Sequence, residues 1–330
     1  MNLYNVPQNG DHMWSPFFYF ELCIKSFSSY TDSMRHRQKK HSGKNVNISF
    51  MSRIQKLYTQ ISTPRYITTQ KALGETPLVA TERLRRERHI PRTTPLAYAG
   101  RLDPMATGTL LILVGDECKK QTQYHILDKV YTVELLIGVH SDSGDVLGIV
   151  SACAPQILTL QNAQKVCDTL IGNITLPYPH FSAKTVQGKP LHTWTLEHRL
   201  HEIDLPIKES TLYTLTATSL KLITKNDLLK RVSEKIASIP EVCDPRKQLG
   251  ADFRRTDVQK TWNIIAQSNV ETYQILSFTC TASSGTYMRS LAEKIAQELG
   301  TCGLALSIHR ITIGKYRPLW GTWGIWTKKY

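Results

Sequence analysis

The chain has 330 residues, of which 41% are hydrophobic, and its 41 Lys and Arg against 27 acidic residues give a net charge of +14. This length supports a full hydrophobic core in one large domain or two. The surplus of positive charge favours a polyanionic partner, most commonly nucleic acid, although a generically basic surface is the alternative. The apolar run FFYFELCI is too short to span a bilayer and lacks the features of a signal peptide. We therefore expect a cytoplasmic protein without membrane association.

The cysteines and histidines give no pattern of a metal centre. The seven cysteines are scattered without a C-x-x-C pair, and the eleven histidines form no H-E-x-x-H pair. An odd number of cysteines without a framework is typical of a reducing compartment. The sequence also lacks nucleotide and flavin motifs, so we expect neither a metal nor another cofactor.

The first residues differ in composition from the rest. Residues 1–62 are rich in Ser, Asn, Gln and His, show little periodicity, and contain the basic run RHRQKKH at 35–41. This composition predicts a poorly ordered basic extension. The basic run either contacts RNA or belongs to a solvated tail, and Met34 or Met51 is an alternative start. The folded domain is expected over residues 63–330.

The first half of this domain predicts a helix followed by strands. TPLVATERLRRERHI at 76–90 predicts a helix with Leu78, Val79 and Leu84 facing inward and its arginines facing water or a phosphate backbone. GTLLILVG predicts a buried strand, KVYTVELLIGVH a second strand, SDSGDVLG a turn, and GIVSACA the strand that returns from it.

The second half alternates between helical and extended patterns. Residues 160–171 predict an amphipathic helix, and FSAKTVQGKPLHTWTLE at 181–197 predicts a strand with a tight turn at QGK. Residues 225–268 are polar and helical in pattern with a break at SIPEVCDPRK, which predicts an inserted helical segment. QILSFTCTASSG at 274–285 alternates as a strand with one apolar face.

The strongest helical pattern is SSGTYMRSLAEKIAQELG at 283–300. Ser283 and Ser284 are candidate caps, an apolar stripe follows, and Gly300 is the expected stop. Strands and helices do not alternate as repeated βαβ units along the chain. The sequence therefore predicts an α+β domain with a mixed sheet.

One carboxylate stands in an unusual setting. Asp103 lies in the Gly-bounded turn AYAGRLDPMATG, directly before the first buried strand. Such a carboxylate is partly shielded from water and needs a nearby positive group to stay ionised. Arg101 is adjacent, and Arg289 at the start of the last helix can hold a carboxylate through two hydrogen bonds. The alternative is an Asp that only caps the turn.

GRLDPMATGTLLILVG resembles the central motif of the TruB family of tRNA pseudouridine synthases. Four further stretches are similar to family motifs and follow in the family's order: QKALGETPL at 70–78, KVYTVELLIG at 129–138, FSAKTVQGKPLHTW at 181–194, and SGTYMRSLAEKIAQELGTCGLALSIHRITIGKY at 284–316. The resemblance covers about residues 66–317, apart from the predicted insertion. It implies the pseudouridine synthase fold, with a mixed, largely antiparallel central sheet and flanking helices.

The resemblance also implies an activity: isomerisation of uridine to pseudouridine in the T arm of tRNA, at position 55, by base flipping and an aspartate nucleophile. It assigns catalytic roles to Asp103, Arg289 and Tyr131, and substrate contacts to Tyr98, Arg101, Tyr287 and Ile308. Two positions depart from the family pattern, because Ala72 replaces a usual proline and Tyr98 replaces a usual histidine.

Partners and rival functions follow from the same comparison. Many family members carry a C-terminal RNA-binding PUA domain, for which no segment is left here, so we expect a short form. It is expected to act as a monomer on the T-arm stem-loop of tRNA, without an obligate protein partner. The tail residues Trp320, Trp323 and Trp326 either stack on bases or pack onto the core. The alternatives are a non-catalytic RNA-binding or RNA-folding protein of the same fold, and a synthase that modifies another RNA.

Overall fold

The computed structural model describes residues 64–154, 156–241, 254–321 and 323–330. They belong to one compact unit, Pro64–Tyr330. The predicted extension over 1–62, with its basic run, lies outside the described residues. Within the described ranges, no helix combines the length and the apolar composition needed to cross a membrane.

A nine-stranded sheet is the centre of the unit. In chain order the strands are β1 (Tyr66–Lys71), β2 (Leu96–Ala99), β3 (Thr107–Val114), β4 (Asp128–Ile137), β5 (Val139–Ser141), β6 (Val150–Ala152), β7 (Gly172–Pro177), β8 (Thr185–Val186), β9 (Lys189–Pro190), β10 (Ile207–Thr224), β11 (Thr272–Ala282), β12 (Gly303–Trp320) and β13 (Trp323–Lys329). The main sheet runs β1-β3-β12-β4-β11-β10-β7, with β2 on β3 and β13 on β12. Its strands pair antiparallel except for β3 and β12, which are parallel. The predicted mixed, largely antiparallel sheet is confirmed.

Seven α-helices flank the sheet in the described ranges: α1 (Pro77–Glu87), α2 (Gln121–His125), α3 (Leu160–Thr169), α4 (Leu191–Leu196), α5 (Lys225–Ser238), α6 (Arg255–Ala266) and α7 (Met288–Glu298). Three of them begin at a threonine whose hydroxyl accepts a hydrogen bond from a backbone N–H three residues later: Thr76, Thr159 and Thr224. This contact satisfies an N–H that has no partner within the helix.

The inward face of α1 differs from the prediction. Ala80, Thr81 and Leu84 are buried against the sheet, but Leu78 and Val79 are 61% and 46% exposed. At 3.6 residues per turn, Leu78 and Val79 point at least about 100° away from Ala80 and Leu84. The helix therefore buries a narrow stripe, and the two apolar residues of its first turn face solvent.

The segment at 225–268 is helical as predicted, but it is not peripheral. α5 and α6 connect β10 to β11, which pair from Thr224 with Thr272 to Leu212 with Ala282. Both helices contribute to the main core, through Leu228, Val232, Ile236, Val258, Trp262 and Ile265. The long strand β10 that precedes them was not predicted. Residues 242–253, which include part of the proline-containing break, lie outside the described residues.

The start of α7 corrects the predicted caps. The helix begins at Met288 after Tyr287, so Ser283 and Ser284 are too far upstream to cap it. Ser283 Oγ instead accepts from the Thr211 N–H at 2.8 Å, and Ser284 donates to the backbone oxygen of residue 125. The apolar stripe is buried, and Gly300 ends the helix with φ of +74°.

Two cysteines that are far apart in sequence are paired. Cys153 and Cys302 form a disulfide across 149 residues. Their spacing does not predict the pair, because they meet only through the fold of the sheet. Among the described residues the free cysteines are Cys118, Cys167 and Cys280.

The C-terminal hairpin of β12 and β13 places the three tail tryptophans in two different environments. Trp326 packs edge-on against Tyr316, with ring centroids 5.2 Å apart. Trp320 and Trp323 are 90% and 80% exposed. One tryptophan therefore packs on its own hairpin, and the other two face solvent.

Candidate active site

An open cavity of about 590 Å³ lies beside the first residues of β4 and the middle of β12. The structure brings every predicted site residue to its wall: Tyr98, Arg101, Asp103, Tyr131, Tyr287, Arg289 and Ile308. These residues come from four separate stretches of the chain. No group of three His, Cys, Asp or Glu side chains suited to hold a metal ion occurs in the part of the chain that the structure describes.

Asp103 lies in the turn between β2 and β3, with its side chain 40% exposed to the cavity. The first motif holds this turn from one side. The backbone N–H of Gly74 and the ammonium of Lys71 both donate to the Pro104 carbonyl, at 3.0 and 3.3 Å. Burial lowers the pKa of Lys71 to about 8. The motif that begins the resemblance thus fixes the backbone next to Asp103.

Arg310 holds the same turn from the other side. It is buried on β12, and its guanidinium donates to the carbonyls of Thr109, Arg101 and Gly100 at 2.8, 3.1 and 3.4 Å. Gly108 permits the close approach of the β12 backbone to β3, because a Cβ at Gly108 would lie 2.2 Å from the Arg310 backbone oxygen, and its φ is +109°. Sequence analysis missed Arg310, although a charged residue two positions after Ile308 on one strand shares its inward face.

Arg289 lies in the first turn of α7, 4% exposed. Its Nε lies 2.9 Å from Asp103 Oδ2. Its terminal nitrogens donate elsewhere, to the backbone oxygens of Ser143 at 2.7 Å and Phe181 at 3.1 Å. The ion pair with Asp103 was correctly predicted, but the predicted grip through two hydrogen bonds was wrong. Burial opposes the charge on Arg289, and the nearby carboxylates, chiefly Asp103, more than offset it and raise the pKa of Arg289.

A second carboxylate approaches Arg289. Asp145 is 5% exposed, and its Oδ2 lies 3.7 Å from Arg289 Nε. Ser143 Oγ and the Leu147 N–H donate to its other oxygen, at 2.8 and 3.0 Å. Burial raises the pKa of Asp145. Sequence analysis placed Asp145 in a turn without a role, and nothing in its spacing indicates that it meets Arg289.

Tyr131 and Lys129 share one face of β4. Tyr131 is 8% exposed, and burial raises its pKa, so the phenol keeps its proton at neutral pH. Lys129 is 6% exposed and donates to the backbone oxygen of His125 at 3.2 Å and to Ser284 Oγ at 3.3 Å. Burial lowers the pKa of Lys129 to about 8. Sequence analysis missed Lys129, although its two-residue spacing from Tyr131 predicts the same face of the strand.

The four predicted substrate contacts differ in exposure. Ile308 is buried on β12, whereas Arg101 is exposed at the rim of the cavity. Tyr287 immediately precedes α7, and its ring packs edge-on against Tyr178 at 5.3 Å. Tyr98 on β2 is half-buried against the cluster beneath α1. Each has part of its surface at the cavity, which suits a flat apolar ligand with a charged backbone.

The pairing of Asp103 with Arg289 indicates what chemistry the site can perform. A half-exposed carboxylate that is held by a buried arginine can attack an electrophilic carbon or stabilise positive charge on it. Aromatic and apolar walls suit a base, and Arg101, Lys129 and Arg310 give the cavity a positive field that suits a polyanion. The site therefore has the features of an enzyme that acts on a nucleic acid through a carboxylate.

Comparison with known proteins agrees with this class. The N-terminal domain model of the TruB family of pseudouridylate synthases matches residues 88–233. tRNA pseudouridine synthase B of Neisseria meningitidis serogroup A is 28% identical over 228 residues, which cover 69% of this chain and 57% of that protein. tRNA pseudouridine synthase 4 of Saccharomyces cerevisiae is 28% identical over 235 residues, which cover 62% of this chain and 57% of that protein. Over these residues the chain is similar to the TruB family.

The coverage of the relatives and the structural similarity to a solved structure are both partial. The chain spans 57% of the length of each of these two relatives. The crystal structure of a Cbf5-Nop10-Gar1 complex superposes over 76% of this chain and 48% of that chain, with a TM-score of 0.41 and 14% identity. That likeness is too distant to support an inference about this chain.

Proposed function

We propose that this chain isomerises uridine to pseudouridine in tRNA, at position 55 of the T arm. The observation that carries the proposal is the placement of Asp103, which faces an open basic cavity while Arg289 holds one of its oxygens at 2.9 Å. A protein that only binds RNA has no need of a carboxylate at this point, since its charge repels phosphates. The names of the relatives supply tRNA as the substrate.

The reaction rearranges one nucleotide without gain or loss of atoms. The bond between N1 and C1′ breaks, the uracil turns within the site, and C5 bonds to C1′. The C5 proton leaves and a proton is placed on N1, so no electron donor or acceptor is needed. Asp103 acts at C1′ as the nucleophile, in the way that carboxylates act in glycoside cleavage. Arg289 forms an ion pair with this carboxylate, which faces the cavity.

The remaining wall residues bind the uracil. A base must leave its stack to enter such a cavity. Tyr131 and Ile308 provide an aromatic and an apolar surface for the flipped ring. Because Tyr131 is a phenol at neutral pH, it can donate its proton to N1 and then, as the phenolate, take up the proton that leaves C5. Tyr287 contacts the ring from the side of α7, and Tyr98 takes the place of the usual histidine.

Positive side chains at the rim of the cavity and on α1 bind the phosphates of the T-arm stem-loop. Arg101 at the rim and Arg86 on α1 are exposed. Arg83 and Arg85 are less suited to this role, because they pair with Glu75 and Glu82. We further propose that the protein acts as a monomer, in the cytoplasm, without an obligate protein partner.

The direct test is an assay of purified full-length protein on unmodified tRNA transcripts, with pseudouridine mapped at single-nucleotide resolution. The proposal expects modification at position 55 and none in a transcript with cytidine at that position. Modification elsewhere in tRNA would overturn the assigned position, and a protein that binds tRNA tightly but forms no pseudouridine would overturn the activity.

A further inference from the structure

The orientation of Arg289 depends on two backbone carbonyls from different parts of the chain. Ser143 belongs to the loop between β5 and β6, and Phe181 to the loop between β7 and β8. Each carbonyl accepts from one terminal nitrogen of Arg289, at 2.7 and 3.1 Å. The position of the Arg289 guanidinium beside Asp103 is therefore set by these two loops.

Arg254 contacts both loops from the segment between β10 and β11. Its terminal nitrogens bind Asp142, the residue before Ser143, at 2.6 and 2.9 Å. Its guanidinium carbon lies 4.1 Å from the centre of the Phe181 ring. Arg254 thus pairs with the neighbour of Ser143, whose carbonyl accepts from Arg289, and stacks on the side chain of Phe181, whose carbonyl accepts from Arg289 as well.

The backbone of Arg254 supports a specific role. Its φ is +51°, in the left-handed region, at the residue that precedes α6. A non-glycine residue adopts this conformation at a cost that its surroundings must offset. At Arg254 two contacts of the side chain can offset this cost. Its planar guanidinium binds Asp142 through two hydrogen bonds and at the same time stacks on the Phe181 ring.

We propose that Arg254 is a positioning residue, which acts through Asp142 and Phe181 to hold Arg289 in line with Asp103. The inference rests on the proposed function. Its effect on folding is modest, because the side chains of Arg254 and Asp142 are 21% and 34% exposed and solvent weakens such a pair. Its effect on the reaction is larger, because a small displacement of a catalytic group from its productive geometry slows the chemical step strongly.

The test compares Arg254→Ala and Arg254→Lys with the matched control Arg231→Ala. Arg231 on α5 also ties this segment to the sheet, through Glu134 at 2.5 Å, but it touches neither loop. For each full-length variant, the single-turnover rate of pseudouridine formation, the Kd for tRNA and the midpoint of thermal unfolding are measured. We expect Arg254→Ala to slow the single-turnover rate by about ten-fold or more, with Kd within about two-fold.

Lysine at 254 keeps the charge but not the fork or the planar stack, so its rate should lie between wild type and alanine. Arg231→Ala should retain the wild-type rate. An Arg254→Ala rate equal to wild type would overturn the inference. So would a loss confined to Kd, which would make Arg254 a phosphate contact, or an equal loss in Arg231→Ala, which would make it a general effect of stability.

A second readout does not depend on activity. In protein labelled with ¹⁵N-arginine, the Nε–H resonance of Arg289 is assigned by its loss in Arg289→Lys. We expect this resonance to move in Arg254→Ala and to stay in place in Arg231→Ala; an unchanged resonance in Arg254→Ala would contradict the positioning role. If wild-type protein forms no pseudouridine, the proposed function fails, and the resonance still decides whether Arg254 orients Arg289.

Discussion

Arg289 meets Asp103 through Nε alone, at 2.9 Å from Oδ2, because its two terminal nitrogens donate to the backbone oxygens of Ser143 and Phe181. The arginine is thus anchored to the backbone rather than to the carboxylate. It contacts one oxygen of Asp103, and the carboxylate remains exposed to the cavity. This relationship combines a fixed positive charge with a reactive group that stays accessible.

Arg289→Lys should therefore lose the anchoring even though it keeps the charge. A single ammonium cannot reproduce the planar fork that reaches two carbonyls and a carboxylate. We expect the single-turnover rate to fall by about ten-fold or more, which corresponds to about 1.4 kcal/mol or more in activation free energy. The Kd for tRNA serves as the control and should change little. A variant as fast as wild type would mean that charge alone is sufficient.

Asp145 gives a prediction about pH. Burial raises its pKa above the ordinary value of 3.8, so the folded protein holds this proton more tightly than the unfolded chain does. Stability linked to such a group is present below the ordinary pKa and is lost as the pH rises through the folded value. The free energy of unfolding of wild type should thus fall relative to that of Asp145→Asn as the pH rises above 3.8. Urea unfolding of both proteins across this range measures the difference, and a flat difference would contradict the burial of this carboxylate.

The close approach of β3 and β12 can be tested by substitution of two glycines that have positive φ. A Cβ at Gly108 would lie 2.2 Å from the Arg310 backbone oxygen, whereas a Cβ at Gly115 would meet nothing within 4 Å. Gly115→Ala should cost about 1–2 kcal/mol from its backbone conformation alone. Gly108→Ala should cost at least about 2 kcal/mol more, because the strands must separate. Denaturant unfolding of the two variants decides the matter, and equal losses would mean that the strands tolerate the methyl group.

The parts of the site that could be predicted are those with a local signature. The turn made Asp103 a candidate and the periodic helix made Arg289 one, and the resemblance to the family motifs then implied their roles. The direction of Leu78 and Val79 was predicted wrongly, since a helix of 11 residues with few apolar positions fits more than one buried face. Ser283 and Ser284 have the chemistry of helix caps, but the fold uses them to tie other segments to the cavity.

The contacts that could not be predicted from the sequence join residues that are far apart in the chain. Asp145 and Arg289 are far apart in sequence, and no local pattern indicates that they meet. The polar pattern of 225–268 correctly predicted helices, but their burial depends on β10, whose pairing partner β11 lies beyond them. Arg254 belongs to no sequence motif that indicates a role, and its contacts with Asp142 and Phe181 depend on the three-dimensional fold.

The proposed substrate makes a prediction about how much RNA is needed. The positive side chains around the cavity lie close to the expected position of the flipped base, so contacts far from the loop should be few. We expect an isolated T-arm stem-loop to be modified with a kcat/KM within about ten-fold of that for full tRNA, a difference of roughly 1.4 kcal/mol or less. An inert stem-loop alongside an active tRNA would mean that a wider surface of the tRNA is read.

Removal of residues 1–60 extends this comparison. If the basic run RHRQKKH contacts phosphates, the shortened protein should show a higher KM and a weaker dependence of KM on salt, since each lost phosphate contact reduces the slope. The value of kcat should stay close to that of the full chain. Both protein lengths are assayed at two salt concentrations, and an unchanged KM would assign the run to a tail without a role in binding.

The central claim is that Asp103 performs the chemical step, and single-turnover analysis of Asp103→Asn tests it most directly. The substitution preserves the size of the side chain and removes its charge and nucleophilicity. With saturating protein and labelled tRNA, the account predicts no detectable pseudouridine, with a Kd for tRNA within a few-fold of wild type. Clear pseudouridine formation by Asp103→Asn under these conditions would contradict the account and remove Asp103 from the reaction.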